Sequence, residues 1–439
     1  MPLSPSRSAA FDILVRVEQG AFADEMLHSE RLSQLSPADR GLCTEIVMGV
    51  LRWRSLLDEM IGRWSKTPSH KLDTEVLTAL RVGAYQITHL ERVPAHAAVD
   101  QAVELVKQSR RRFAAPMVNA IMRKISASTR AAAAQAPGGD ALKAIAHDCA
   151  HPHWLVERWA AEYGLDSVQQ IARCDQQIPT PTLRLADAGA EQELRSEGIE
   201  LAPGALLTSA RRVVSGDVTK TRAFAESRVY LQDEASQLVA LLVGRGTRLL
   251  DCCAAPGGKA AVMAERNPTS LVIAAELHPG RARLMRRLAR APNICVVAAN
   301  AEALPVVGSF DRALADVPCS GTGTLARNPE IKWRLRPEDL RDLHQRQVGI
   351  LRAVLGYLSP GGRLVYSTCS LEREENEDVV AEVLQGRTDV RMLDCREQLQ
   401  TMDELAWQNL DSLVRGKFLR TLPGIHPCDG FFAALLEKV

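Results

Sequence analysis

No stretch of the 439-residue sequence stays apolar long enough to span a bilayer. The opening residues, MPLSPSRSAAFDILVRVEQG, lack the hydrophobic centre of a secretion signal, so a cytoplasmic chain with no membrane contact is expected. There is no CxxC pair and no cluster of cysteine with histidine. The ten cysteines, at 43, 149, 174, 252, 253, 295, 319, 369, 395 and 428, are scattered, which argues against a zinc site and for reduced thiols available to chemistry. Charge of one sign is also missing: the net charge is +1, so any contact with nucleic acid must come from local basic patches. No internal repeat is evident. What remains is the composition of an ordinary globular protein, 46% hydrophobic and 24% charged, in a chain too long for one core, and two or three domains are expected.

Helical periodicity dominates the first part of the chain. EIVMGVLRWRSLLDEMIGRW places Ile46, Val50, Leu57 and Ile61 at helical spacings, and VLTALRVGAYQITHL does the same with Leu77, Leu80, Ala84 and Ile87. Asp73 is placed to cap the second of these helices, and Pro94 breaks the chain before AAVDQAVELVKQ. Residues 1–128 are therefore expected to form an all-α domain, and the small-residue stretch at 129–147 a linker. Residues 148–234 hold a helix, PHWLVERWAAEYG, followed by strand candidates TPTLRLA and ARRVVSG, the pattern of a small α+β module. From 235 to 439 the strand candidates TRLLDCCA, SLVIAAEL, ICVVAAN, FDRALADV and RLVYSTCS alternate with helical stretches, and GFFAALLEKV reads as a closing strand. This is the signature of a doubly wound, Rossmann-like α/β sheet, whose ligands bind beyond the carboxyl ends of the strands where strand order reverses.

The chemistry-bearing residues stand at those strand ends. The first strand runs into DCCAAPGGKAA, where Pro256, Gly257 and Gly258 make a tight turn that lets backbone approach a ligand, although a plain strand-to-helix turn reads the same way. The second strand ends at Glu276, placed to hydrogen-bond the hydroxyls of a ribose, and the two features together favour a ribose-bearing cofactor. The fourth strand exits into ADVPCSGTGTLARNPEIKW with Asp316 and Cys319, and the fifth delivers Cys369. Paired cysteines at neighbouring exits suit methylation of cytosine at C5. A thiolate adding at C6 turns the ring into an enamine able to attack an electrophilic methyl group. An acid near N3 stabilises the adduct, and a second basic group must remove the C5 proton before the thiol can leave. Cys369, Asp316 and Cys319 can supply these groups, and Lys259 is the candidate to favour the thiolate, since an ordinary cysteine with a pKa of about 8.5 is only partly ionised near neutrality.

CCAAPGGKA, DVPCSGTGTLARNPEIKW and YSTCSLEREENE, in this order, resemble the motifs of the Sun family of RNA (cytosine-C5) methyltransferases. The resemblance implies S-adenosyl-L-methionine as cofactor and no metal, Cys369 as nucleophile, and Cys319 as the cysteine that helps release the product. Enzymes acting on DNA use the Pro-Cys position as nucleophile, so the additional Thr-Cys cysteine implies RNA and not DNA. The cofactor contacts carry over to Cys253, Ala254, Ala255, Pro256, Gly257, Gly258 and Lys259, to Glu276 on the ribose, to Asn300 where an aspartate is common, and to Asp316. Val317 stands where alanine is usual.

DRGLCTEIVMGVLRWRSLLD and LTALRVGAYQITHLERVPAHAAVDQAVELVK resemble the NusB-type RNA-binding bundle, and by analogy the middle module is RNA-recognition-like. Together these resemblances imply a monomeric enzyme making 5-methylcytosine in 16S rRNA, free or in an assembling small subunit. The alternatives are the same chemistry on tRNA or 23S rRNA, and a non-catalytic RNA-binding ribosome-assembly factor.

Several residues carry two readings each. Arg110, Arg111 and Arg112 in SRRRF, and Arg281, Arg283, Arg286, Arg287 and Arg290 in PGRARLMRRLAR, are phosphate contacts or solvated helix faces. Lys332 and Trp333 touch the target base or its neighbours, or Trp333 is a hydrophobic anchor. Ser370 is expected to cap the helix begun by EREENEDVV, with Glu374 and Asn376 fixing the Cys369 loop.

Overall fold

The computed structural model describes residues 3–128, 140–187, 189–288 and 291–439, so Arg290 and the linker residues 129–139 lie outside the described residues. The chain forms two compact units, one of Met1–Gln177 with Leu325–Arg334, the other of Ile178–Thr324 with Leu335–Val439.

The first unit is helical throughout its described residues. Its boundaries follow local chemistry. The Ser36 side chain accepts from the Asp39 amide to start the helix Pro37–Arg52, Asp73 accepts from Glu75 to start Thr74–His89, and Pro94 immediately precedes Ala95–Gln108. Ile46, Val50, Leu57, Ile61, Leu77, Leu80 and Ala84 are buried, as their spacing requires, while Ile87 is only partly covered at the rim. Buried Arg81 is satisfied: it pairs with both oxygens of Asp58, at 2.6 and 2.7 Å, and with Glu18 at 2.8 Å. The region 148–234, read from sequence as one module, is divided. Helices His153–Tyr163 and Leu165–Cys174 bury Leu155, Val156, Trp159 and Ile171 within the helical unit, and only the strands that follow fall in the second unit.

Those strands, β1 (Thr182–Leu185), β2 (Glu200–Pro203), β3 (Ala210–Ser215) and β4 (Val229–Leu231), make an antiparallel sheet in the order β2-β3-β1-β4. The larger sheet contains β5 (Arg248–Asp251), β6 (Leu271–Glu276), β7 (Ile294–Ala298), β8 (Phe310–Asp316) and β9 (Leu358–Thr368), all parallel, in the order β9-β8-β5-β6-β7. The chain steps from β5 outward through β6 to β7 and then returns to the other side of β5, so the strand order reverses between β5 and β8. A crevice at their carboxyl ends follows from that reversal. Beyond β9 lies an antiparallel extension of β10 (Val390–Leu393), β11 (Val414–Arg415), β12 (Phe418–Arg420) and β13 (Phe432–Lys438), with β13 paired to β9. GFFAALLEKV, expected to close the sheet, instead runs antiparallel inside it, nearly fully buried between β9 and β12.

Candidate active site at the ends of β5, β6, β8 and β9

Parallel pairing sets β8 and β9 level, with Asp316 opposite Ser367, so the two loops that follow leave the sheet side by side. They bring the Cys319 and Cys369 sulfurs to 3.4 Å. The sequence separates these residues by fifty positions and the register removes that distance. Asp316 ends β8 with both oxygens engaged: Ser367 donates its hydroxyl to one at 2.7 Å, and the Lys259 ammonium lies 2.8 Å from the other. Lys259 projects from the first turn of the helix Gly258–Arg266, after Gly257 adopts a left-handed φ of +112°, a conformation that glycine takes without steric cost. Burial alone would lower the Lys259 ammonium, but the adjoining Asp316, with Cys369 and Asp251 adding to it, raises it, so the side chain is a fixed cation within the reach of Cys369.

Cys319 is held as a thiol. Its hydrogen bond to Cys369 raises it most, followed by burial and the charges of Cys369, Glu375 and Asp316.

The glycine turn follows β5, whose last residue, Asp251, is fully enclosed. Neither carboxylate oxygen has a protein partner with hydrogen-bond geometry. Burial and then the charge of Asp316 push this acid up to about 7, opposed by Lys259 and by the Cys253 amide facing it. At the end of β6, buried Glu276 accepts from the His278 amide at 2.9 Å with one oxygen and keeps the other 3.8 Å from Arg281. An orphaned buried acid, a second acid and a glycine turn fit S-adenosyl-L-methionine, which carries an ammonium, a sulfonium and a ribose. Asp251 and the turn Cys253–Lys259 would hold its amino-acid end and Glu276 its ribose hydroxyls.

Asn300 follows β7, and its side-chain oxygen accepts from the Glu302 amide at 3.1 Å, which commits it to a turn. Cys252, next to the turn, is buried with its sulfur 3.9 Å from that of Cys253.

A stability prediction follows from Asp251. Its folded-state value lies above the ordinary carboxylate range, so the folded state binds more protons between pH 4 and 7, and the cofactor-free protein loses stability as pH rises through that window. Asp251→Asn is expected to flatten this dependence and to raise stability at pH 7.5 by about 1–3 kcal/mol, while weakening cofactor binding. Denaturant titrations at pH 5 and 7.5, with and without cofactor, check both.

The loop bearing Cys369 is tied on several sides. Its carbonyl accepts from the Gly323 amide at 2.9 Å, and Leu371 donates to the Thr322 hydroxyl at 2.9 Å. Gly323 must lack a side chain, since a Cβ there would come within 2.1 Å of the Gly430 oxygen. Asn376 donates to the Ser370 carbonyl at 2.9 Å, in the loop-fixing role expected of it, whereas Glu374 offers its backbone carbonyl to His344. Ser370 is not a helix cap. A 3-10 turn, Arg373–Glu375, precedes the helix Glu377–Leu384, and the Ser370 hydroxyl accepts from the Glu372 amide at 3.0 Å.

Lys332 and Trp333 are structural rather than base-contacting residues. In the helical unit the Lys332 ammonium donates to the Arg52 carbonyl at 3.0 Å and the Trp333 indole to the Leu51 carbonyl, at the end of the helix Pro37–Arg52. Lys332 is buried, and the loss of hydration lowers its ammonium, so it is unavailable to a phosphate. The arginines fare differently: Arg110, Arg112, Arg281, Arg283, Arg286 and Arg287 are exposed, and exposed Arg111 pairs with Asp73 at 2.7 Å. Three residues of the site were not singled out from sequence: Asp251, Ser367 and Glu375. An acid closing the first strand before a glycine turn was a readable sign for Asp251, but Ser367 and Glu375 carry no comparable mark.

The model of the family described as 16S rRNA methyltransferase RsmB/F matches residues 239–437, and that of the NusB family matches residues 4–127. The chain is 32% identical over 453 residues to the probable ribosomal RNA small subunit methyltransferase B of Bacillus subtilis (strain 168), covering 98% of each chain. It is 32% identical over 448 residues to ribosomal RNA small subunit methyltransferase B of Xanthomonas campestris pv. campestris, covering 99% of this chain and 97% of that one. In fold it is similar to the crystal structure of PH0851, with a TM-score of 0.82 at 21% identity over 100% of both chains.

Proposed function

The chain belongs to the 16S rRNA methyltransferase RsmB/F family, and from that premise we propose that it makes 5-methylcytosine in 16S rRNA through a covalent adduct on Cys369, released with the help of Cys319. It is an S-adenosylmethionine-dependent rRNA (cytosine-C5) methyltransferase. The observation that supports the residue roles is the 3.4 Å approach of the two sulfurs beside the Lys259–Asp316 pair.

The cofactor supplies the electrophilic methyl group. The Cys369 sulfur forms a bond to C6 of the cytosine as its proton passes, by way of the Asp316 carboxylate held between Lys259 and Ser367, to N3, where the ring would otherwise accumulate negative charge. Once C5 carries the methyl group, Cys319 assists loss of the C5 proton, its electron pair re-forms the C5–C6 double bond, and the Cys369 sulfur departs. As Cys319 takes up the C5 proton, the proton it already holds passes to the departing Cys369 sulfur, 3.4 Å away.

RNA is the substrate of the matched methyltransferase family and the ligand of the NusB-type bundle, and the exposed arginines of SRRRF and of the helix Pro279–Leu288 supply local positive charge for phosphates. We take 1–128 as the NusB-like domain and 235–439 as the catalytic domain, readings supported by the extents of the two family matches; of the stretch 129–147 expected as a linker, the helix Ala141–Asp148 takes up the end. Action in the cytoplasm as a monomer completes the proposal; among the described residues no helix is long and apolar enough to cross a membrane.

The test is transfer of labelled methyl from the cofactor to 16S rRNA, free or within an assembling subunit, with tRNA and 23S rRNA as comparison substrates. Label appearing only in tRNA or 23S rRNA rejects the proposed target. A purely RNA-binding assembly factor is separated by thermal stability. S-adenosylmethionine at one hundred times its Kd is expected to stabilise the protein by about 2.7 kcal/mol, and the melting temperature of a scaffold without a cofactor site would not move.

A further inference from the structure

Both reactive loops end on one carboxylate. Glu375 closes the 3-10 turn after β9 and is completely buried. It accepts from the Ser320 amide at 2.8 Å, the Ser320 hydroxyl, the Ser370 hydroxyl, and the Gln347 side-chain amide at 2.9 Å. Ser320 directly follows Cys319 and Ser370 directly follows Cys369, so a single side chain grips both loops one residue beyond each sulfur. Gln347 also donates to the Pro318 carbonyl at 2.9 Å, bracing the Cys319 loop from the residue on its other side. The Tyr366 hydroxyl fixes the turn itself by donating to the Glu375 carbonyl at 2.6 Å.

We propose that Glu375 is a positioning residue for the methyl-transfer site, setting the separation of the two sulfurs and, through its negative charge on the Cys319 side, making Cys319 the proton-bearing partner of Cys369. The inference rests on the functional reading above and extends it to the division of labour between the cysteines. All four partners are donors, which calls for a carboxylate; an amide has only one oxygen to offer them.

The charges around the sulfurs are unequal. Those bearing on Cys319 are Cys369, Glu375 and Asp316, all anionic or potentially so, and the neutral phenol of Tyr366 lies within their reach. The Lys259 cation is paired to Asp316 and interacts with Cys369. Negative charge favours a thiol over a thiolate, so this arrangement keeps the proton on Cys319. Of that set, Glu375 is the one bonded to Ser320, next to Cys319, through both its amide and its hydroxyl.

The decisive variant is Glu375→Gln, of nearly the same shape but without the charge; the two serine hydroxyls can rotate to accept from the new amide. In a Cys369→Ser background, iodoacetamide labelling of Cys319, followed by peptide mass spectrometry across pH, is expected to speed up about three- to tenfold at pH 7.5 when Glu375→Gln is added, as its titration midpoint falls by up to about one unit. Glu375→Asp, which keeps the charge and shortens the arm, is expected to leave that midpoint in place while slowing methyl transfer in the otherwise intact enzyme about tenfold or more. An unmoved labelling profile in Glu375→Gln overturns the charge assignment.

Should Glu375→Gln not fold, Ser370→Ala removes one donor and keeps the charge. Turnover is expected to fall about tenfold with cofactor stabilisation unchanged, and unchanged turnover overturns the positioning role. The labelling experiment uses no RNA, so it stands even where methyl transfer to 16S rRNA is not found.

Discussion

Cys369→Ala is expected to reduce methyl transfer to rRNA by about a thousandfold or more, with the melting temperature and its response to S-adenosylmethionine retained. C5 of cytosine is too poor a nucleophile to take a methyl group unless C6 is first occupied, so loss of the attacking sulfur removes a chemical step rather than a contact. The neighbours cannot substitute. Asp316 is committed to Lys259 and Ser367, and Cys319, held as a thiol, faces negative charge. The alanine leaves the loop bonds in place, because Cys369 is tied through its backbone carbonyl to Gly323 and its neighbour Ser370 through Asn376 and Arg420. Methyl transfer from labelled cofactor measures the effect, and full activity would eliminate Cys369 as the nucleophile.

Cys319→Ala is expected to behave differently. The first bond still forms, but loss of the C5 proton slows, by an amount in the usual range for a positioned acid or base of about 10²–10⁴. The enzyme then stalls with RNA attached through Cys369. A band of protein joined to RNA should survive a denaturing gel, appear in proportion to cofactor and RNA, and vanish in the double variant Cys319→Ala/Cys369→Ala. Substantial turnover with no band would remove the release role from Cys319. The opposite phenotypes, loss of reaction against loss of release, arise from two chemically identical side chains 3.4 Å apart, so their surroundings must distinguish them.

Most of the chemistry was legible before any coordinates. The strand ends could be read because an apolar run followed by polar and glycine residues is a local pattern. Cys319, Cys369, Asp316 and Lys259 each stood at such an end, and the structure brings all four together. The helical domain was equally readable, since Ile46, Val50, Leu57 and Ile61 declare a buried face by spacing alone. Assignments resting on proximity in the sequence were less secure. Lys332, thirteen positions after Cys319, looked like a base contact, yet its segment Leu325–Arg334 belongs to the helical unit and its ammonium ends on the Arg52 carbonyl. Ser370 looked like a helix cap because acidic residues followed it, but the turn Arg373–Glu375 intervenes and takes its hydroxyl.

The sequence by itself determined the order of helical and α/β parts, the glycine turn and which side chains are the candidates for chemistry, because periodicity, turn chemistry and residue type are properties of short stretches. Only the tertiary structure decided which groups act on one another. The reversal of strand order between β5 and β8, the level register of β8 and β9, the orphaned Asp251 and the grip of Glu375 on both cysteine loops depend on distances across the sheet, between residues as far apart as Ser320 and Glu375, 55 positions in the chain and 2.8 Å in space. Electrostatic and hydrogen-bond energies act over ångströms, so they are fixed only when the sheet has closed that gap.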